Sequence, residues 1–217
     1  MQSWAEVTFK QGSSWLPAIL GNNDVMLLAQ MLSLKTWVLK LIPNYALHQL
    51  IAKISFIKEL PSKQLLQNFG NKSYTALENV SIGQWAYTEF YALKFFTDRN
   101  PEFLNKFLAC VYVNGFFQES SINHFVDFNK TLQNEKMLIY LIYQNERKAF
   151  IANFPKVFPI ITPSETEPAP QENQEIDFMH AFKLLNEVVN SRIYGTYEQT
   201  FNTKLSTILF NKNIESI

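Results

Sequence analysis

One segment of this chain has a composition that cannot build a hydrophobic core. Residues 163–177 contain five acidic residues and three prolines but no aromatic or basic side chain. Such a segment has too little apolar surface to offset the entropy lost on ordering it, so we expect a semi-extended tether. The sequence therefore predicts three parts, which are a helical body at 1–162, an acidic flexible linker at 163–177 and a C-terminal helical arm at 178–217.

The composition of the chain favours helices over strands. Of its 217 residues, 47% are hydrophobic and 15% are aromatic, with 19 phenylalanines, and there are 6 glycines. A chain rich in long apolar side chains and poor in glycine is suited to helices rather than to a sheet with many turns. We therefore expect a mainly α protein, an irregular multi-helix bundle followed by the acidic Pro-rich linker and a C-terminal amphipathic helical appendix.

Caps, prolines and the three- and four-residue spacing of apolar side chains predict the helix boundaries. Ser81 and Gln84 form a capping-box pattern that opens a helix to Thr97, and this helix is aromatic around most of its circumference, which predicts a central position. Asn100 followed by Pro101 predicts the start of the next helix. The other predicted elements are helices near 3–12, 24–42, 45–60, 132–152, 176–190 and 202–210, an end of the 101–113 helix at Asn114-Gly115, a capping box at 196–199 and an irregular connector at 62–80 with a turn at 69–71.

The net charge of zero conceals an asymmetry along the chain. Residues 1–162 carry a net charge of +4, and residues 163–217 carry −4. A weakly basic body of this size does not imply nucleic acid as a partner, so nucleic-acid binding is the alternative function and not the first one. Cys110 is the single cysteine, which excludes an internal disulfide and favours a reducing compartment.

The longest apolar stretch runs from Val25 to Ile42 and contains Gln30, Lys35 and Lys40. Two lysines are costly inside a bilayer, so we expect a buried helix here and no membrane partner. The first residues lack a basic region followed by an apolar run, and no signal peptide is predicted.

The sequence contains no pattern typical of a catalytic, metal or cofactor site. His48, His124 and His180 are too far apart for metal-ligand spacing, and there is no glycine-rich phosphate loop. Cys110 has apolar neighbours, which predict a buried and inert thiol. We therefore expect no catalytic residues, no metal ion and no cofactor.

Several acidic and basic residues could suggest a catalytic pair or a nucleic-acid site, but surface charge is the simpler interpretation. Glu78 with Glu89, or Glu135 with Glu146, are separated by eleven residues, too far to pair along one helix, and are expected to be solvated surface charges. The cations at 147–148 are expected to lie over the aromatic core rather than to bind nucleic acid. An enzyme whose site assembles from scattered polar residues is the third class that remains open.

A stripe of four apolar residues, Phe178, Phe182, Leu185 and Val189, recurs at the spacing of one helix face. On a flexible arm this face requires a groove, which the body, a second copy of the chain or a different protein could supply. These four residues are the candidate partner-binding site. The expected partner is a protein, including a second copy of this chain.

Three segments resemble poorly characterised small proteins of phage and prophage structural-gene clusters. They are SWAEVTFKQ at 3–11, SIGQW at 81–85 continuing through Tyr91 to NKFLACVY at 105–112, and YGTYEQT at 194–200 with NTKL at 202–205. The resemblance covers about a quarter of the chain and carries no catalytic motif. It implies a helical, non-enzymatic protein of virion or tail assembly, such as a tail-assembly chaperone or a minor virion component, in the host cytoplasm or the virion.

Overall fold

The computed structural model describes residues 7–54, 61, 63–158 and 179–215. Within these residues the protein is mainly α, which confirms the predicted fold class, and one sheet pairs two short strands. The elements are α1 (Phe9–Leu20), α2 (Asp24–Met31), α3 (Thr36–Leu39), α4 (Asn44–Lys53), β1 (Ser73–Tyr74), α5 (Ile82–Asp98), α6 (Pro101–Val111), β2 (Tyr112–Val113), α7 (Gln133–Ile151), α8 (His180–Ser191), α9 (Tyr197–Asn202) and α10 (Leu205–Glu215), with 3-10 helices at Lys63–Leu65 and Glu119–Phe128. The predicted linker at 163–177 and the cap predicted at Ser3 lie outside the described residues.

The chain divides into two compact units. Unit 1 comprises Met1–Asn68 and Lys130–Glu146, and unit 2 comprises Phe69–Asn129 and Arg147–Ile217, so the division falls inside α7. These units do not follow the predicted boundaries of a body at 1–162 and an arm at 178–217. The reason is that α8, α9 and α10 all contact α5 and bury apolar side chains in unit 2.

In unit 1, α1 begins later and ends later than the sequence pattern predicts. Thr8 caps the helix, and its side chain and that of Gln11 form the reciprocal bonds of a capping box. The helix does not end at Gly12, because the Gly12 N–H donates to the Thr8 carbonyl at 2.9 Å and continues the helical ladder. α1 therefore runs to Leu20.

The single helix predicted from 24 to 42 is wrong, although Asn23 caps its start as expected. Ser33 has a φ of 54°, and the Leu34 N–H returns to the Ala29 carbonyl at 2.8 Å. This is the hydrogen bond of a Schellman motif, which ends α2 at Met31 without a glycine. The chain resumes as α3 and then α4, and α4 ends before residues 55–60, which lie outside the described residues.

In unit 2, α5 has the central position that its aromatic sequence predicts. Ser81 caps it by accepting a hydrogen bond from the Gln84 N–H at 3.1 Å. The helix contacts α6, α8, α9 and α10. The buried Gln84 amide also donates to the Cys110 carbonyl at 2.8 Å, which joins α5 to α6.

The segment after α6 differs from its prediction. α6 starts at Pro101 as expected but ends at Val111, because Tyr112 and Val113 pair in antiparallel register with Tyr74 and Ser73. The predicted turn at 69–71 precedes this pair, and Gly70 has a φ of 61°. The loop expected after α6 contains the 3-10 helix Glu119–Phe128.

The C-terminal helices join unit 2 through backbone hydrogen bonds and one close approach. The Ile82 N–H donates to the Thr203 carbonyl at 2.9 Å, and the Leu205 N–H donates to the Val80 carbonyl at 3.0 Å. Gly83 faces the ring of Phe201 so closely that a Cβ at residue 83 would clash with it. The absence of a side chain at Gly83 therefore allows α9 to lie directly against α5.

Candidate functional site

The described members of the predicted partner-binding stripe lie on α8, and Phe182 among them contacts α5. Phe182 makes edge-on ring contacts with Tyr87 (centroids 4.9 Å apart) and Phe90 (5.9 Å). Leu185 is 1% exposed, and Val189 is half-buried. Phe178 lies outside the described residues. A partner-binding role for this stripe stays a prediction, and it would require α8 to leave α5.

A second apolar surface in unit 2 is open to solvent. It is a cavity of about 520 Å³ between the chain that leads into the 3-10 helix Glu119–Phe128 and the helix α9. We call it the aromatic groove. Its lining residues are Phe116, Phe117, Gln118, Glu119, Tyr197, Glu198, Phe201 and Asn202.

Local sequence explains how α9 presents its side of the groove. Thr196 and Gln199 form the predicted capping box, in which the Thr196 N–H donates to Gln199 Oε1 at 2.8 Å. This cap starts the helix at Tyr197, and residues four apart on a helix lie on one face. Tyr197 and Phe201 are therefore neighbours, with ring centroids 5.7 Å apart.

The aromatic side chains form a buried floor and an exposed rim. Phe117 and Phe201 are buried, and their rings stack with centroids 6.2 Å apart and planes 16° apart. Phe116 is 91% exposed and Tyr197 is 51% exposed. The floor is held by packing inside unit 2, whereas the rim offers free aromatic surface to a ligand.

The polar lining of the groove is acidic. Glu119 and Glu198 contribute one carboxylate from each side, and none of the eight lining residues is Lys or Arg. The Tyr197 hydroxyl lies 3.5 Å from Glu119 Oε1 and donates to it. Burial, followed by the charge and hydrogen bond of Glu119, raises the pKa of Tyr197. Burial and a hydrogen bond to Glu119 also raise the pKa of Tyr87, so both phenols remain protonated donors to this carboxylate.

A separate polar cluster in unit 2 is built on Glu89, which is 1% exposed. Arg147 Nε donates to both carboxylate oxygens at 2.8 and 2.7 Å, and His180 Nε2 lies 3.5 Å from one of them. The expectation that Glu89 is a solvated surface charge was wrong, because α7 brings a cation to it. Through these contacts the cluster joins α5, α7 and α8.

The remaining candidates from the sequence are Cys110 and the histidines. Cys110 is fully buried, and burial raises the pKa of its thiol, which disfavours the reactive thiolate. In the described ranges, no three His, Cys, Asp or Glu side chains are grouped closely enough to hold a metal ion. Across the same ranges, every helix is too short or too polar to cross a membrane.

The aromatic groove is the feature that sequence reasoning missed. The capping-box pattern at 196–199 indicates only a helix start at Tyr197 and Glu198, and no sequence pattern assigns a function to residues 116–119. A usable signal was present, because FFQE at 116–119 and YEQTF at 197–201 both place an aromatic residue within two positions of a glutamate. Nothing in the sequence indicated that the two segments meet.

Comparisons of the chain with protein-family models, curated proteins and solved structures found no match. The resemblance to phage structural-cluster proteins therefore stays a prediction from the sequence. The surface available for a functional inference is the aromatic groove.

Proposed function

We propose that this protein is a non-enzymatic interaction protein of a phage or prophage assembly system, and that it binds a protein partner in the aromatic groove. Its role would be that of a tail-assembly chaperone or a minor virion component, in the host cytoplasm or the virion. The observation that carries the proposal is the exposed aromatic rim formed by Phe116 and Tyr197 over a buried aromatic floor.

The aromatic groove has the features of a surface that binds a peptide segment. Aromatic side chains supply much of the energy at protein interfaces, and an exposed phenylalanine such as Phe116 gains most from being covered. A volume of about 520 Å³ accommodates a few side chains rather than a whole helix. The stacked floor is already in place, so little ordering entropy opposes binding.

The kind of partner follows from the resemblance to phage structural-cluster proteins. A chaperone of tail assembly would cover an apolar segment of a structural protein, such as a tape-measure helix, until assembly. The groove is a better binding surface than the α8 stripe, because Leu185 is already buried and Phe182 already contacts Tyr87 on α5.

The test uses point variants in the full chain. Truncation at 163 would remove Leu205, Ile208 and Leu209, which are fully buried, so loss of binding would only report unfolding. The protein is co-expressed with candidate phage structural proteins, such as tape-measure segments, and complexes are measured by size-exclusion chromatography with light scattering.

The informative variant is the double change Phe116→Ala/Tyr197→Ala, which removes the rim. We expect affinity for the partner to fall about tenfold or more, because truncated interface aromatics typically cost 2 kcal/mol or above. The matched control is Phe210→Ala, an exposed phenylalanine on α10 outside the groove lining, which should bind normally.

Two outcomes would contradict the proposal. One is a partner that binds the rim variant as tightly as the unchanged protein, with both proteins folded by circular dichroism. The other is no structural-protein complex but a nucleic-acid complex that weakens steeply with salt, which would favour the alternative function.

A further inference from the structure

The aromatic groove combines the two chemical features that attract a cation. Its floor and rim present four aromatic rings, whose faces are electron-rich. Glu119 and Glu198 add two carboxylates, and the eight lining residues include no positive side chain to neutralise them. A neutral apolar segment would partly desolvate both carboxylates without supplying a positive charge, which costs free energy.

The placement of the carboxylates favours a ligand with several hydrogen-bond donors. Glu119 lies at the start of the 3-10 helix and Glu198 lies on α9, so a group between them can reach both sides of the groove. Asn202 donates its side-chain amide N–H to the Glu198 carbonyl, and its side-chain carbonyl oxygen can accept a hydrogen bond from a ligand. An ammonium group could satisfy the charge, but a planar guanidinium can stack on a ring and also donate to two carboxylates.

We propose that the aromatic groove binds the guanidinium group of an arginine side chain on the partner protein. The inference rests on the proposed function and specifies the chemistry of the partner. The guanidinium lies over the exposed rings of Phe116 and Tyr197 and donates hydrogen bonds to Glu119 and Glu198. Because the cavity is larger than one guanidinium, residues flanking the arginine occupy the rest of it.

The probe is the peptide acetyl-Gly-Arg-Gly-amide, compared with the same peptide containing citrulline, the neutral isostere of arginine. Backbone amide shifts of residues 116–119 and 197–202 are followed by NMR in the full chain. We expect the arginine peptide to shift these amides and to bind about tenfold more tightly than the citrulline peptide, because cation–π contact and charge-assisted hydrogen bonds are both lost in citrulline.

The protein variant is Glu119→Gln/Glu198→Gln, which keeps side-chain size and removes both charges. It should reduce the tenfold preference for arginine to about twofold or less, leaving the weaker cation–π contact. The control is Asp98→Asn at the far end of α5, about 22 Å of helix away from Gly83, where α9 contacts α5. This control should retain the preference.

Equal binding of the arginine and citrulline peptides overturns the inference, and so does a lysine peptide that binds as tightly as the arginine one. Shifts confined to residues outside the groove overturn it as well. The proposed function fails in a different way: the arginine peptide binds in the groove, yet no structural protein forms a rim-dependent complex. If a structural protein forms a complex that depends on the rim but shows no arginine preference, the arginine inference is contradicted and the proposed function is not.

Discussion

At the scale of single residues, charge placement in unit 2 depends on partners that are distant in sequence. Glu89 would pay a large desolvation cost if it were buried alone, and Arg147, 58 residues later, offsets that cost with two hydrogen bonds to the carboxylate. Lys72 and Asp127 form a similar but exposed pair, with Nζ 2.6 Å from Oδ2. Burial therefore decides how much each pair contributes to stability.

Replacing Arg147 with methionine should destabilise the protein, because the buried Glu89 carboxylate loses the cation that bonds both its oxygens. We expect the free energy of unfolding in urea to fall by about 2 kcal/mol. This is less than for a fully buried ion pair, because Arg147 is partly exposed. The control is Lys148→Met on the same helix, where the side chain is exposed and the expected loss is below about 0.5 kcal/mol. Equal losses in the two variants would contradict a buried ion pair.

The Lys72–Asp127 pair predicts a measurable dependence on pH. A hydrogen bond and the charge of Lys72, with a smaller contribution from His124, lower the pKa of Asp127. Lys72→Met should raise that pKa towards its ordinary range, as measured by NMR titration of the carboxyl carbon. The pKa of Asp127 is therefore lower in the folded than in the unfolded protein, where it is about 3.9. The ion pair gives its full stabilisation above the unfolded-state pKa, and this stabilisation is lost as the pH falls through the folded-state pKa.

Solvent exposure of Asp127 should keep this contribution below about 1 kcal/mol. If the stability difference between the unchanged protein and Lys72→Met remained the same at pH 6 and pH 2, the ion pair would not be its cause.

At the scale of elements, α8 and α9 are parts of unit 2 rather than free amphipathic helices. α8 buries Ala181, Leu185 and Val188, and α9 lies against α5 where Gly83 leaves room for Phe201. An amphipathic helix gains stability by burying its apolar face, and α5 is the nearest surface that offers the complement. The helical pattern in the sequence therefore predicted the helix correctly without indicating what covers it.

The variant Leu185→Ala tests whether α8 lies on α5 in solution. Because Leu185 is 1% exposed, its truncation should lower the free energy of unfolding by about 3 kcal/mol, through lost apolar burial and the cavity left behind. The half-buried neighbour Leu184 is the control, and Leu184→Ala should cost about 1 kcal/mol. Thermal unfolding and hydrogen exchange of α8 amides are the measurements, and a negligible cost at Leu185 would indicate a free arm.

At the scale of the whole molecule, apolar side chains remain exposed in both units. In unit 2 they include the rim of the aromatic groove and also residues outside it, such as Phe96 and Phe210. In unit 1 the exposed apolar residues are concentrated in one stretch of sequence, and α4 has no buried residue. The stretch contains Leu20, Met26, Leu32, Leu34, Trp37, Leu41 and Tyr45, and Leu132 is exposed elsewhere in the unit. Apolar surface of this kind favours association in a protein without its partner.

The double change Leu41→Ser/Tyr45→Ser should therefore reduce concentration-dependent self-association of the isolated protein, as measured by light scattering. Its unfolding free energy should change by less than about 1 kcal/mol, because both side chains are exposed. Leu39→Ser is the contrasting variant, since Leu39 is fully buried and its replacement should destabilise the fold. If light scattering gives a monomer mass for the protein without substitutions at all concentrations, this expectation is contradicted.

The sequence alone determined the features that depend on neighbouring residues. The mainly α class, the caps at Asn23, Ser81 and Thr196, and the extent of α5 and α7 all follow from patterns within a few residues, because helical hydrogen bonds join residues four apart. The end of α2 at Ser33 is local as well, but it lacks the glycine that normally indicates it.

Only the tertiary structure decided the contacts between distant segments. β1 meets β2 across 38 residues or more, Arg147 reaches Glu89 across 58, and Tyr197 reaches Glu119 across 78. Each contact forms where segments distant in the sequence pack together, and packing depends on the combined shape and burial of many side chains. The aromatic groove is a product of that packing, which is why no single stretch of the sequence predicted it.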